Sequence, residues 1–480
     1  MREARSCPFD TWSQLEPFAS VAPVSTEASS PELSRPIRDI EDLEAYFHGG
    51  AKAREAWRVG VEYETPAVDA TRGDALPYDE KRPCIREILE EYAGSEPSWE
   101  PVLEEGRIVA LRDPHASITL EPGGQVEMSG RQCVSMHDAN AEFSSHVARL
   151  TEVSERLGVR FLGLGATPKT PLESLPWMPK QRYRIMRRIM ESTGRLGHRM
   201  MQQTATVQAN FDYSSEADAR RKLRSSMALS PVLIAMCANS AILDGKDTGF
   251  KSFRAHVWTD TDPARCGLLP FVFDAESLFH AYTAYALEVP MYFVARAGRL
   301  LPSSGMTFHH FLRHGLDGER ATLADWATHL TTLFPESRLK TYLEVRSADG
   351  QPQDRVMAIP ALLKGILYSD DAVDAVWALF RSWSLTDRRE ATEAAAKEGL
   401  SARVRRHTLL DYARDVLEIA TVGLKSQSRR DAAGNDETVY LVALARDLAE
   451  GVSPADRVLA GWRGPWAGDS RALVDYAAYR

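Results

Sequence analysis

Five glutamates, Glu62, Glu64, Glu121, Glu127 and Glu344, fall on short segments of alternating polarity. In VGVEYE, residues 59–64, Val59, Val61 and Tyr63 alternate with Gly60, Glu62 and Glu64. A period of two puts the apolar side chains on one strand face and the carboxylates on the other. Three further segments repeat the pattern: the stretch around ITLEPGGQVEMSG with Glu121, Gln125 and Glu127, TATVQANFD with Gln208 and Asn210, and LKTYLEVR with Tyr342, Glu344 and Arg346. A single strand of this kind is an ordinary half-solvated one. A solvated face, however, usually mixes Thr, Ser and Lys, whereas these faces repeat carboxylates and amides. If the faces meet, the carboxylates repel one another and stay ionised together only with cations among them. Oxygen donors without a His or Cys cluster suit magnesium or manganese, and magnesium in such sites usually also holds a phosphate. The chemistry expected is a nucleotide-dependent transfer.

A second concentration of functional residue types is FKSFRAHVWTDTDPAR, residues 250–265, where Arg254, His256 and Arg265 stand near Trp258 without apolar periodicity. It reads as a charged loop whose guanidinium groups could grip carboxylates or phosphates through paired hydrogen bonds. Other chemistry is missing. There is no GxxxxGK[ST] phosphate loop and no GxSxG elbow, and His309, His310 and His314 lack the Glu of an HExxH zinc helix. The Met and aromatic residues between Trp177 and Met190 read as core.

The elements that must position these residues come from the whole chain. It has 480 residues, 44% of them apolar and 26% charged, so it is globular in composition and has room for one large catalytic domain or several small ones. A net charge of -9 argues against a general nucleic-acid surface. No apolar run approaches the ~18 residues that span a bilayer, and the first residues lack the apolar stretch of a secretory signal. Cys7, Cys84, Cys133, Cys237 and Cys266 are scattered without CxxC spacing, which argues against a zinc knuckle or disulfide scaffold and suits a reducing cytoplasm.

Residues 1–36 read as a disordered tail, with Ser20 to Pro36 rich in Ser, Pro, Ala and Glu. Ile40, Leu43 and Phe47 then fall at helical spacing, as do residues 84–93, 137–157 and, after a cap at Ser214, 215–238 with Pro231 as an expected kink. Beyond Asp371 almost everything is helix-like. Strands do not alternate regularly with helices, so a doubly wound parallel sheet is disfavoured. The expected class is α+β, an antiparallel sheet with helices packed on one side.

The strings VGVEYE, ITLEPGGQVEMSG, FLGLGATP, PWMPKQRYRIM, TATVQANFDYSSEADARRKLR, FRAHVWTDTDP, LEVPMYF, HLTTLFPESRLKTYLEVRSADG and IPALLKG occur in this order. Together they resemble the glutamate–cysteine ligases of the plant and proteobacterial type, over roughly residues 37–480. The resemblance implies a glutamine-synthetase-like curved antiparallel sheet whose concave polar face forms a funnel-shaped active site, with helices outside. It implies one catalytic domain over 37–480, with a sheet-containing core to 370 and a mainly helical part from 371. The implied reaction uses ATP to phosphorylate the γ-carboxylate of glutamate. The amine of cysteine then attacks the acyl phosphate, giving γ-glutamylcysteine in the first step of glutathione synthesis.

Carried across by position, the resemblance gives Glu62, Glu64, Glu121, Glu127 and Glu344 to magnesium or manganese, with Glu121 the least secure because it precedes the Pro-Gly-Gly turn. It gives Arg254 and Trp258 to glutamate, Tyr292 to the cysteine pocket, and Gln208, Asn210 and Arg346 to the nucleotide and phosphates, with Arg254 and Arg346 as the catalytic cations. Partners would be the small molecules glutamate, cysteine and ATP, with no nucleic acid or membrane, on a cytoplasmic monomer or weak homodimer. Departures from the family pattern are Tyr63 between the first two glutamates, where His is usual, Ala205 where Cys is usual, and Met357 where a cysteine often precedes the IPALL-like segment. The last implies that the redox switch of plant members is not used. Two other readings keep the fold: a ligase with a different amine acceptor, and a non-catalytic nucleotide-binding regulator.

Overall fold

A computed structural model describes residues 31–94 and 98–480. Most of the expected tail lies outside the described residues, but its last six residues are part of the fold. Pro31–Ser34 form a 3-10 turn, Pro36 bridges to Thr322, and the Ile37 N–H donates to the Ala321 carbonyl at 2.9 Å. Leu33 and Ile37 pack on a buried cluster, and Arg35 pairs with Asp42 at 3.0 Å. The fold therefore includes residues before Ile37, because two apolar side chains in a polar stretch find a surface to bury.

The core of the molecule is an eight-stranded sheet built from β1 (Val59–Thr65), β2 (Glu100–Glu104), β3 (Arg107–Arg112), β4 (Ser117–Leu120), β5 (Val126–Ser129), β6 (Thr206–Phe211), β7 (Ser337–Leu339) and β8 (Leu343–Asp349). Its order is β7-β8-β6-β1-β5-β4-β3-β2, and every neighbouring pair is antiparallel. The helices that matter most are α1 (Ile40–His48), α2 (Ile85–Gly94), α3 (Met136–Leu157), α4 (Gln181–Thr193), α5 (Gly197–Gln203), α6 (Glu216–Cys237) and α7 (Phe253–Trp258). The expected α+β class holds: the sheet is open, antiparallel and helix-covered.

The apolar halves of the strands make the core as the alternation requires. Val59, Val61, Tyr63, Met128, Val207, Ala209, Phe211 and Val345 share one buried cluster. It is closed by α3, α6 and the helices Ala358–Leu367 and Leu409–Ser426. Several helices after residue 370 pack on α6 rather than forming a separate layer. Helix α3 is bounded by a Ser135–Asp138 capping box and by Gly158 at φ 68°, where a left-handed residue ends the helix. Helix α6 is capped by Ser215 rather than Ser214, and it runs through Pro231 as one element. No helix among the described residues is long and apolar enough to cross a membrane, and the four described cysteines are unpaired.

Two local expectations are corrected. LKTYLEVR is not one strand but the end of β7, a turn at residues 340–342 and the start of β8. The turn closes when the Lys340 N–H donates to the Tyr342 carbonyl at 2.7 Å. Leu339 faces Leu343 and Arg338 faces Glu344, so a three-residue loop preserves parity and period-two reading passes straight through it. The charged stretch 250–265 is not all loop either. Ser252 accepts from the Ala255 N–H at 3.1 Å and caps α7, which carries Arg254 and Trp258.

Candidate active site

The polar halves of β1, β5, β6 and β8 meet helices α4, α5 and α7 across a cleft of about 190 Å³. Its walls include Glu62, Glu64, Glu121, Glu127, Gln208, Arg254, Trp258 and Arg346. Strand register explains the grouping. Glu64 on β1 is the direct partner of Glu127 on β5, and Glu127 is the partner of Thr119 on β4. Glu62 is the partner of Gln208, and Asn210 is the partner of both Gly60 and Glu344.

Hydrogen bonds fix these side chains. Thr119 donates to Glu127 at 2.7 Å, and the Asn210 amide donates to Glu62 at 2.7 Å. The Thr206 N–H donates to Glu64 at 3.1 Å. Gly60 makes room for Asn210: a Cβ there would stand 3.3 Å from the Asn210 Cβ and Nδ2. Glu121 turns into the cleft after all, with the Tyr183 hydroxyl 3.3 Å from its Oε1. Gln125, read as part of the polar face, does not: it accepts from the Gly123 N–H and donates to the Thr204 carbonyl, and so holds the Pro-Gly-Gly turn.

The electrostatics divide the five glutamates. Burial, then the charges of Glu344 and Glu127, push the Glu62 carboxyl up to about 7. Burial and Glu121 push Glu127 up to about 7 as well. Glu64 is raised well above the ordinary carboxylate range by burial, Glu121 and Glu127. Burial raises Glu121 against the opposing pull of Lys180 and Arg182. Glu344 is different. Burial alone would raise it, but Arg338, Arg346 and Lys340 outweigh that and hold it far below the usual range. Arg338 reaches Glu344 at 2.5 and 2.8 Å, and Arg346 bridges Glu344 to Gln208. The expected metal role thus meets four carboxylates without a guanidinium pair and one, Glu344, already neutralised. Asn210 orients Glu62 from below and does not line the cleft.

Arg254 and Trp258 lie four residues apart on one face of α7 and both line the cleft. A bulge between Val345 and Ala348 breaks the β8–β6 ladder, and the Arg346 and Ser347 carbonyls accept from Arg254 at 2.8 and 3.4 Å. Tyr292 is not in this wall. It is buried with its ring 4.0 Å from the Arg265 guanidinium, and its hydroxyl has no hydrogen-bond partner among the described residues. His256 stacks on Phe250 with ring centroids 4.3 Å apart.

Several lining residues escape the sequence reading. Arg182, Tyr183 and Met186 come from α4, and Met200 and Met201 from α5. Tyr183 and Met186 fall among the Met and aromatic residues that read as core, Met200 and Met201 lie beyond that stretch, and all four also pack in the buried core. Arg338 is hidden by the hairpin, although its parity with Glu344 was the available signal. Lys180 donates to the Leu120 carbonyl at 2.8 Å; burial lowers its ammonium to about 8 against the pull of Glu121.

A divalent ion is tested by the donors present. They are oxygen-only, and burial together with mutual repulsion raises several of them, both of which a cation would offset. The carboxylates are not drawn into a finished cage: among the described residues no three His, Cys, Asp or Glu side chains converge as a metal site. The donor chemistry fits a hard cation. A larger groove, about 990 Å³, lies by α3 and the C-terminal residues, away from these glutamates.

Known proteins are similar to this chain. The sequence model of glutamate–cysteine ligase family 2 (GCS2) matches residues 58–476. The chloroplastic glutamate–cysteine ligase of Brassica juncea is 42% identical over 429 residues, 89% of this chain and 81% of the relative. That of Arabidopsis thaliana is 41% identical over 429 residues, 89% of this chain and 80% of the relative. A crystal structure of a Francisella tularensis glutamate–cysteine ligase in complex with AMP shares the fold at a TM-score of 0.51 and 12% identity, over 88% of this chain and 87% of that one. The two plant relatives are named as chloroplastic, and this overturns the cytoplasmic expectation. Scattered cysteines point to no particular compartment.

Proposed function

Since the chain belongs to glutamate–cysteine ligase family 2, we propose a division of labour within its cleft. The enzyme joins the γ-carboxylate of glutamate to the amine of cysteine with ATP as the phosphoryl donor. The observation that carries the residue roles is the clustering of Glu62, Glu64, Glu121 and Glu127 in one cleft, several of them raised by burial and by one another's charge.

These four carboxylates hold magnesium or manganese in our reading. Such an ion, when bound, neutralises the transferring phosphoryl group and orients it. The remaining roles belong to the protein. Arg254 and Trp258 hold glutamate on the α7 side. Arg346 and Gln208 face the nucleotide phosphates, and Arg346 offsets their charge. Glu344 keeps Arg338 and Arg346 in place from beneath. Asn210 orients Glu62. No side-chain nucleophile is required: the substrate carboxylate attacks the γ-phosphorus, ADP leaves, and the cysteine amine then displaces phosphate from the acyl carbon.

An acceptor panel tests the reading. Phosphate release is measured with ATP, glutamate and either cysteine, alanine or 2-aminobutyrate. Cysteine should give the highest kcat/KM. Equal rates with alanine would refute cysteine as the acceptor. Nucleotide binding without turnover on any amine would replace the enzyme with a nucleotide-binding regulator.

A further inference from the structure

Asp349, the last residue of β8, is a buried carboxylate that the reaction does not use. One of its oxygens accepts from the Asn239 N–H at 2.8 Å and from the Ser240 hydroxyl at 2.7 Å. The other accepts from the Ser252 hydroxyl at 2.8 Å and lies 3.8 Å from the Arg254 guanidinium. Asn239 and Ser240 follow the end of α6, Ser252 immediately precedes α7, and Arg254 lies in its first turn. Ser252 is the cap of α7. Ser240 in turn accepts from the Arg254 N–H at 3.0 Å, so Asp349 reaches the backbone of Arg254 through one hydroxyl and its guanidinium directly.

The surroundings seal this contact. A Cβ on Gly165 would stand 2.6 Å from the Asp349 Cβ, so the second glycine of FLGLG admits the chain only because it has no side chain. The fully buried carboxylate is thereby surrounded by donors, which is how a buried charge is tolerated. Two devices from the same strand then act on Arg254. The bulge offers it the carbonyls of residues 346 and 347, and Asp349 fixes the helix that carries it.

We propose that Asp349 is a positioning residue for the reaction, setting the pose of α7 so that Arg254 and Trp258 meet the substrate at the cleft. The proposal rests on the reading of Arg254 and Trp258 as the glutamate-binding pair. Asp349 touches no substrate; it acts through Ser240, Ser252 and Arg254. Misplacing a substrate-gripping group by an ångström or less changes rates and affinities by about one to two powers of ten.

The test compares wild type, Asp349→Asn and Arg254→Lys in steady state, with the KM for glutamate, the KM for ATP and kcat measured separately. Asp349→Asn keeps the shape and one acceptor oxygen but loses the charge. It should raise the KM for glutamate about tenfold and leave that for ATP within about twofold, the same pattern as Arg254→Lys. If Asp349→Asn only lowers the active fraction, with both KM values unchanged, the role is merely structural and the proposal fails. If both variants instead raise the KM for ATP, Asp349 still positions Arg254 and it is the glutamate assignment that falls. If the two variants move different parameters, the positioning role is refuted. Should Asp349→Asn not fold, Ser240→Ala, which removes a single link between Asp349 and Arg254, decides: a smaller rise in the same KM supports the proposal, and an unchanged KM overturns it.

Discussion

Glu64 on β1 and Glu127 on β5 are direct cross-strand partners, two carboxylates placed face to face on the polar side of the sheet. Like charges in that position destabilise a sheet. Burial and Glu121 add to the effect, so Glu64 and Glu127 both resist ionisation. A fold seeking only stability would place Thr or Lys here, as ordinary half-exposed strands do. The arrangement makes sense if a cation relieves the repulsion during catalysis.

Glu127→Gln separates the two interests. It should abolish most activity, by about a hundredfold or more in kcat, if Glu127 holds a metal ion as proposed. It should leave stability in chelator equal to or above that of wild type, because the cross-strand repulsion with Glu64 is removed. Denaturant unfolding and turnover are measured side by side. A variant that is less stable and still active would refute the assignment.

Magnesium dependence should follow pH. Glu62 and Glu127 titrate near 7 in the folded state against an ordinary 4.5. The folded protein therefore holds these protons more tightly than the unfolded chain. Their contribution to stability is full below about 4.5 and is lost as pH rises through 7. Ligands must be deprotonated to bind an ion, so the thermal shift caused by magnesium should be small near about pH 5.5 and larger near about pH 8. Calorimetry with magnesium or chelator checks this, and a shift that shrinks with rising pH would contradict it.

Glu344→Gln should behave in the opposite way to Glu127→Gln. Glu344 is buried between Arg338 and Arg346 and is held in its charged form by them. Removing one partner of a buried pair leaves an uncompensated guanidinium and is expected to lower stability by about 3–5 kcal/mol. Because the folded-state carboxyl is depressed, its contribution is present above the ordinary 4.5 and is lost as pH falls below that value. Urea unfolding at neutral pH would show the loss; unchanged stability would mean that the pair is idle.

Asn210→Asp should weaken the enzyme by removing the hydrogen bond to Glu62 and adding a like charge beside it. The amide that donates to Glu62 becomes a carboxylate facing Glu62 and Glu344. The expected result is a rise in the magnesium concentration needed for half-maximal activity, with part of the lost rate recovered at high magnesium. Titrating activity against magnesium measures it, and an unaltered requirement would rule out the orienting role of Asn210.

Much of the site is legible in the sequence because strand periodicity is local. Side chains two apart share a face whatever the strand pairs with, so Glu62 with Glu64, Gln208 with Asn210 and Glu344 with Arg346 follow from the chain alone. The resemblance adds the reaction. Arg182, Tyr183 and the methionines of α4 and α5 are not legible this way. A helix with one face in the core and one on a cleft carries a single apolar pattern, and nothing local says what its other face meets. Tyr292 shows the converse: an expected site residue that the fold buries beside Arg265.

The sequence by itself determined that carboxylates alternate with apolar residues along strands and that the class is α+β. Tertiary structure alone decided that Glu64 meets Glu127, that Arg338 neutralises Glu344, and that Asp349 reaches across to Ser252 at the start of α7. The reason is physical. Period and polarity are properties of a few consecutive residues, whereas register, ion pairing and the state of a buried carboxylate depend on which distant strand or helix lies opposite.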